Sequence, residues 1–461
     1  MKRWIEAVCV WGLAAAAGCS GAPERPHVVM VVFDTTRADH FSAYGYAEAT
    51  TPHFDALAAS GVLFENAFAT SSWTVPSHAS LFTGAYPMTH GANQVSQYLA
   101  DEHETLAELL RDAGYETVAF SNNVWVGDKA NLTQGFERVA EAWRMPGPGQ
   151  AARTNKAIQR WLDTREDGRP FFLFVNYIEP HWPYDAPASN QDRFVSSEVS
   201  KAERKAANFG VIRWYLDRES IDGGLLPLRR RLYDAEVATV DQALGNLVRM
   251  LRERGLEDAS LIVAVADHGE NLGDNGHQGH SFVLYDSTLR VPLVIRPAGG
   301  VAGGTRRSEP VQLTDVFATG AAAAGVRASG VGRDLLAAAL PDDRPVLGEY
   351  YYPKQFIKYF PEDERTGPTL APYLRLIRSL RIGRHKLIWG SDGRHELYDV
   401  VADPGETRDL VLDEPEIAAA LERSLNQLLE EHGSAVAQAP PLGGELDPDV
   451  ERSLRELGYV R

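Results

Sequence analysis

Short, almost wholly apolar runs are spaced through the first three hundred residues. Residues 27–34 read HVVMVVFD, and similar runs recur at 116–121, 170–177, 260–266 and 291–295. None alternates polar with apolar positions, so each suits a strand covered on both faces, as in a parallel sheet. Between the runs the period becomes helical. Residues 104–111 set Leu106, Leu109 and Leu110 on one face. Leu232, Val237, Val240, Leu244, Leu247, Val248 and Leu251 predict a long amphipathic helix that stops near Gly255. Strands alternating with helices predict an α/β fold: a doubly wound, mostly parallel sheet flanked by helices. Such sheets collect ligands at the carboxyl ends of their strands.

Past residue 340 the pattern shortens. Residues 373–382, 386–389 and 396–400 read as strands joined by turns, followed by a helix over 414–431. This predicts a smaller C-terminal antiparallel sheet with one covering helix. The division expected is therefore 27–340 as a catalytic domain and 341–461 as an α+β subdomain. Residues 190–228 are polar, charged and irregular, which fits either a mobile lid or an ordinary surface insertion. At the other end, Lys2 and Arg3 precede an apolar stretch over 5–17 broken only by Glu6. It is too short for a permanent span and fits a signal peptide. It runs into Ala16-Ala17-Gly18-Cys19, which resembles a bacterial lipoprotein box. Residues 1–18 are then a signal peptide, Cys19 the lipidated residue and 19–26 a tether. A plain signal peptide is the alternative. The expected location is outside the cytoplasm, lipid-anchored to a bacterial membrane and facing the periplasm or cell surface. Membrane contact is expected only through the lipid anchor.

Composition narrows the chemistry. The 461 residues carry 46 Lys+Arg against 63 Asp+Glu, a net charge of −17, so no nucleic-acid partner is expected. With 44% hydrophobic and 24% charged residues, the chain is neither disordered nor fibrous. Its two cysteines are Cys9 and Cys19. A disulfide framework, a cysteine-ligated zinc and a catalytic thiol are thereby excluded from the body of the protein.

Three features sit where strands are predicted to end. Asp34 closes the first run. Ser72 to Gly84 reads as a loop entering a helix, with Pro76 suited to its first turn and backbone N–H groups aimed past Thr74. Asp267-His268 follows the run 260–266 and offers one hard oxygen and one imidazole nitrogen to a metal. Singly, each has an ordinary reading: a turn-forming Asp, an N-capping Thr, a solvated Asp-His pair. Together on one sheet edge they point to a cation beside an anion site.

Several segments carry a resemblance: FDTTRADH, WTVPSHASLFTGAYPMTHG, NYIEPHWPY, YDAEVATVDQALG, ADHGENLGDNGHQGHSFVLYDSTLRVPLVIR and ELYDVVADPGETRDL. In order and spacing they resemble the sulfatase family of the alkaline phosphatase superfamily. The resemblance implies one divalent metal ion. It implies Asp34, Asp267 and His268 as its ligands, with Thr35 and Thr74 as further oxygen donors. Thr74 falls at the nucleophile position, and His181 and His280 match groups around the anion and leaving group. Typical members carry Cys or Ser at the nucleophile position, within Cys/Ser-x-Pro-x-Arg, and convert it to formylglycine. Here the two end positions are Thr74 and His78, so no formylglycine is expected. A further departure is Thr35, where another metal-binding carboxylate is common.

A threonine ester cannot collapse to an aldehyde, so water or a second alcohol must clear it. The expected reaction is metal-dependent cleavage of a sulfate or phosphate-type ester through Thr74. The ester is expected on a sulfated or phosphorylated small molecule or glycan. His181 or His280 would protonate the leaving oxygen. Substrate contacts are expected from His78, which replaces the arginine or merely caps, from Asn122 at the end of the run 116–121, and from His277 in the Gly-rich loop. The family implies Ca²⁺, whereas an imidazole and a threonine oxygen favour Zn²⁺ or Mn²⁺. A two-metal site using Glu179, His181 and His280 is the runner-up, because the Asp-x-x-x-His spacing of phosphodiesterase relatives is missing. The alternatives in function are a phosphoethanolamine-type transferase and a non-catalytic anion-binding lipoprotein.

Overall fold

The structure is a computed structural model. It describes residues 25–433 apart from 147–148, 167, 222 and 338, together with Arg452. The expected signal peptide, the lipidation at Cys19 and most of the tether lie outside the described residues. So does almost all of the chain after 433.

An eight-stranded sheet forms the centre. In chain order its strands are β1 (His27–Phe33), β2 (Val62–Phe64), β3 (Glu116–Ser121), β4 (Arg138–Glu141), β5 (Phe171–Tyr177), β6 (Ser260–Ala266), β7 (Leu293–Arg296) and β8 (Thr305–Arg307). Across the sheet they run β8-β2-β7-β6-β1-β5-β3-β4. β1 is parallel to both β5 and β6, and β3 is parallel to β5 and β4. Every residue of β3, β5 and β6 is buried, as is all of β1 after His27. Double-sided coverage explains why these runs are continuous rather than alternating.

The run 291–295 is not one strand. Pro292 has no N–H for a ladder, and the chain changes sheets there. Arg290–Val291 pairs with Ala67–Phe68, whereas β7 starts at Leu293 and runs antiparallel to β6 and β2. The first predicted helix is Leu106–Asp112, set back by a capping box between Thr105 and Glu108. The long helix is Leu225–Glu253, with Pro227 in its first turn, where N–H groups have no helical partner anyway. The stretch 190–228 is mostly helical rather than irregular. Ala188–Phe194, Lys201–Ala207 and Val211–Leu216 are short helices ahead of the long one. Arg229, 1% exposed, donates to the carbonyls of Ala207 and Phe209 and ties them to it.

A four-stranded antiparallel sheet follows, formed in chain order by Val346–Tyr350, Ile377–Ile382, His385–Gly390 and Glu396–Asp399. Its first strand is additional to the three read from the sequence. Leu347, Leu380, Leu387 and Leu397 pack with Leu421 and Leu425 of the helix Pro415–His432 in a second, smaller core. Lys386 joins this layer to the main body. Its Nζ lies 2.6 Å from Asp286 Oδ1 and 2.7 Å from Glu406 Oε1. Among the described residues, no helix is long and apolar enough to cross a membrane.

Register positions the site. Phe33 lies opposite both Tyr177 and Ala266, so β1, β5 and β6 leave the sheet at one level. The next residues on β1 and β6 are Asp34 and Asp267.

Candidate active site

Asp34, Asp267 and His268 are fully buried and meet at one point, with one ligand atom from each within 4.8 Å of the others. Asp34 Oδ2 accepts from Asn123 Nδ2 at 2.6 Å, which leaves Oδ1 without a hydrogen-bond partner. Asp267 Oδ1 accepts from the N–H groups of Thr35 at 3.2 Å and His268 at 2.8 Å, which leaves Oδ2 unpartnered. His268 Nδ1 lies 3.0 Å from the Gly269 carbonyl. A carbonyl only accepts, so Nδ1 carries the hydrogen and Nε2 presents a lone pair. That Nε2 lies 3.4 Å from Asp267 Oδ2 and 3.4 Å from Thr74 Oγ1.

Lone-pair atoms turned on one another in a dry site repel. Burial pushes Asp34 up to about 7. Asp267 is pushed well above the usual carboxylate range, by burial first and by Asp34 second. A divalent cation removes both costs, and the orphaned oxygens are hard donors for one. The residues present therefore fit a metal ion. Thr35 has the same signature, with its buried Oγ1 unpartnered. Its backbone sits at φ 48°, strained for a β-branched residue. Tyr233 holds it there, donating to Thr35 O at 2.8 Å and accepting from Arg37 N at 3.0 Å.

Thr74 is the first residue of the helix Thr74–Thr83, which is buried along its whole length. Pro76 lacks an N–H, and Ser77 N donates back to Trp73 O at 3.2 Å. The N–H groups of Thr74 and Val75 have no helical carbonyl to bond and belong to the positive end of the helix that Thr74 opens.

The histidines divide. His268, His280 and His181 form a row, with ring centroids 4.7 Å and 5.3 Å apart. His280 Nδ1 lies 3.3 Å from Glu270 Oε1, and His181 Nδ1 lies 2.6 Å from the Trp182 carbonyl. Burial, with His280 beside it, pushes His181 down to about 4. His78 instead packs behind the helix start. Its Nδ1 donates to Thr74 O at 2.9 Å and its Nε2 lies 3.5 Å from Asn176 Nδ2, so both nitrogens face protein. His277 is half-buried with Nδ1 3.3 Å from the Tyr215 hydroxyl, in an aromatic cluster outside the row. Asn122 donates to Thr154 Oγ1 at 3.1 Å, so its amide faces the helix Gln150–Thr164 instead of the cation pocket. Glu179, His181 and His280 are not brought to one point. Among the described residues, Asp34, Asp267 and His268 are the converging set.

Sequence reasoning missed Asn123 and Asn176. Asn176 lies against Asp34 and holds its pKa down in part. As the one amide in the apolar strand FFLFVNY it carried a signal. Asn123 carried none that separates it from Asn122.

The Sulfatase family profile matches residues 26–326. The chain is 25% identical to an ulvan-active sulfatase of Formosa agariphila, over 89% of this chain and 82% of that protein. It is 25% identical to the multifunctional alkaline phosphatase superfamily protein PehA of Trinickia caryophylli, over 60% of this chain and 69% of that one. In fold it is similar to a phosphonate monoester hydrolase of Agrobacterium radiobacter. The TM-score is 0.71 at 23% identity, covering 91% of this chain and 99% of that one.

Proposed function

The chain belongs to the sulfatase family, and on that premise we propose that it is a metal-dependent hydrolase cleaving a sulfate or phosphate-type ester with Thr74 as nucleophile. The observation that carries this reading is the convergence of one ligand atom each from Asp34, Asp267 and His268, with Thr74 Oγ1 3.4 Å from His268 Nε2. Asp34, Asp267 and His268 would hold the ion, with the hydroxyls of Thr35 and Thr74 as further donors. A divalent cation bound there supplies Lewis acidity and lowers the pKa of a neighbouring hydroxyl.

Thr74 Oγ1, once it has lost its proton, attacks the phosphorus or sulfur atom. The bond to the leaving oxygen breaks as that oxygen takes up a proton. The N–H groups of Thr74 and Val75 steady charge on the remaining oxygens. Burial keeps His181 in the neutral, proton-accepting form, and the proton that Thr74 loses is assigned to it. The acid role is assigned to His280, whose Nδ1 lies 3.3 Å from Glu270 Oε1. In the second half His280, left without its proton, takes one from the water that attacks the same central atom, and Thr74 Oγ1 departs with the proton held by His181. No formylglycine is involved, because threonine cannot be converted to that aldehyde.

A panel of aryl sulfate, phosphate monoester, phosphate diester and phosphonate ester tests the reading. One class at least should turn over, stop on chelation and resume on adding Ca²⁺, Zn²⁺ or Mn²⁺. Turnover untouched by chelation, with no metal in the protein, would sink it. The proposal includes export with Cys19 lipidated, which the intact mass of the membrane-extracted protein tests.

A further inference from the structure

A cavity of about 520 Å³ adjoins the site on its helical side. It lies between the loop that follows β5, the N-terminus of the helix Gln150–Thr164 and the middle of the helix Leu225–Glu253. His181, at the end of the histidine row, is part of its wall. Three carboxylates line it, from Glu179, Asp185 and Glu236, whereas no Lys, Arg, Phe, Tyr or Trp does. Gln242 and Asn246 add amide oxygens from the face of the long helix that carries Glu236.

Two of the carboxylates are buried. Glu236 is 4% exposed and accepts from the Asp185 N–H. Glu179 is 9% exposed. Its Oε1 accepts from Ala151 N at 2.9 Å, at the start of the helix Gln150–Thr164, and its Oε2 has no hydrogen-bond partner. Both line the one cavity; burial raises both, and the charge of Glu179 raises Glu236 further. The guanidinium of Arg153 acts on Glu179 from outside the cavity, and its Nη1 is given to the Met145 carbonyl. An unpartnered buried carboxylate is costly, and removing that cost takes a donor or a cation.

Resting on the ester-hydrolase reading, we infer that this cavity binds a primary ammonium group carried by the leaving group of the substrate. Three N–H donors on one cation match Glu179 Oε2, Glu236 and the amide oxygens of Gln242 and Asn246. A quaternary ammonium would want aromatic faces, and the cavity has none. A metal ion would want oxygens gathered at one point, and among the described residues only the Asp34 set is so gathered. His181 is common to the cavity wall and the histidine row, so one substrate can reach from the reacting ester into the cavity. Esters of an amino alcohol and of an amino sugar both join an ester to a primary ammonium.

The test compares matched esters of whichever class the full-length protein cleaves: 2-aminoethyl against propyl, and glucosamine 6-ester against glucose 6-ester. In the wild type, kcat/KM should favour the amine by about tenfold or more in at least one pair. The pair that does so tells amino alcohol from amino sugar. In Glu236→Gln the ratio should fall to within about twofold of one. Glu179→Gln keeps the acceptor for Ala151 N–H and is expected to act the same way, which covers failure of the first variant to fold. Wild-type ratios near one in both pairs, or ratios unchanged in both variants, overturn the inference. A second arm needs no turnover. Calorimetry on Thr74→Ala should show ethanolamine or glucosamine binding, no binding of 1-propanol or glucose, and loss of amine binding on adding Glu236→Gln. Amine binding without cleavage of any ester supports this cavity while removing the hydrolase reading. Ester cleavage without amine binding does the reverse.

Discussion

Asn123 Nδ2 reaches Asp34 Oδ2 at 2.6 Å and so leaves the other oxygen of that carboxylate for a cation. Asn123→Ala removes the group that orients Asp34 without removing a ligand. Metal affinity should fall by about 10–100-fold, with kcat recovering as metal is raised to saturation. Competition against a chelating dye, read beside activity, checks this. Unchanged affinity would mean that Asp34 is oriented by other groups.

Thr74→Ala should lower kcat by about 10³-fold or more while the metal content stays at that of the wild type. Thr74→Ser keeps a hydroxyl at the start of the buried helix and should stay within about tenfold of the wild type. Quenched reactions of the wild type should carry a covalent adduct on the peptide containing Thr74, and those of the alanine variant should not. Full activity in Thr74→Ala removes the nucleophile assignment.

Much of this was legible in the sequence. Strands covered on both faces must be apolar throughout, so HVVMVVF and SLIVAVA announce themselves, and a charged residue ending such a run falls on the ligand edge. That logic places Asp34, Asp267 and His268 on the ligand edge, and the family resemblance adds their role as ligands. Other features depend on how loops turn. Asn122 and Asn123 are the same residue type in the same loop, and only its path turns one to Thr154 and the other to Asp34. His78 sits on the helix that Thr74 opens, and the four-residue spacing lets its ring bond the Thr74 carbonyl, with Nδ1 also 3.5 Å from Asp267 Oδ2. Glu236 lies in a helix whose polar positions read as solvated, and its burial follows from tertiary packing.

Lys386, 2% exposed, is held between Asp286 and Glu406. Lys386→Met leaves Asp286 to Arg381, 3.7 Å away, but takes the ion-pair partner from buried Glu406, and should destabilise by about 3–5 kcal/mol. Denaturant unfolding measures it. A loss below about 1 kcal/mol would mean that the ion pairs add little to the joint between the two layers.

His90 should make the protein acid-sensitive. Its Nδ1 accepts from Ala92 N at 3.2 Å and its Nε2 lies 3.1 Å from Ser80 Oγ, an arrangement suited to the neutral ring. Burial, helped by His103, pushes its pKa down to about 3. Burial likewise pushes His27 and His277 down to about 4, helped by Arg165 and Arg218 respectively. Unfolded, these rings titrate near 6.5 and so take up protons before the native state does. Their contribution is complete above about pH 6.5 and is lost as pH falls towards 4. Scanning calorimetry at saturating metal should show Tm falling across that window, and His90→Gln should flatten part of the slope. A Tm that holds or rises on acidification would contradict the sign.

The order β6-β1-β5 bears on how the molecule is made. The opening strand has neighbours that begin only at residues 171 and 260. As the chain folds, it keeps a bare edge until both of those distant strands arrive, which is a slow and aggregation-exposed route. The candidate metal pocket joins Asp34 to Asp267 and His268, so it cannot close before β6 docks.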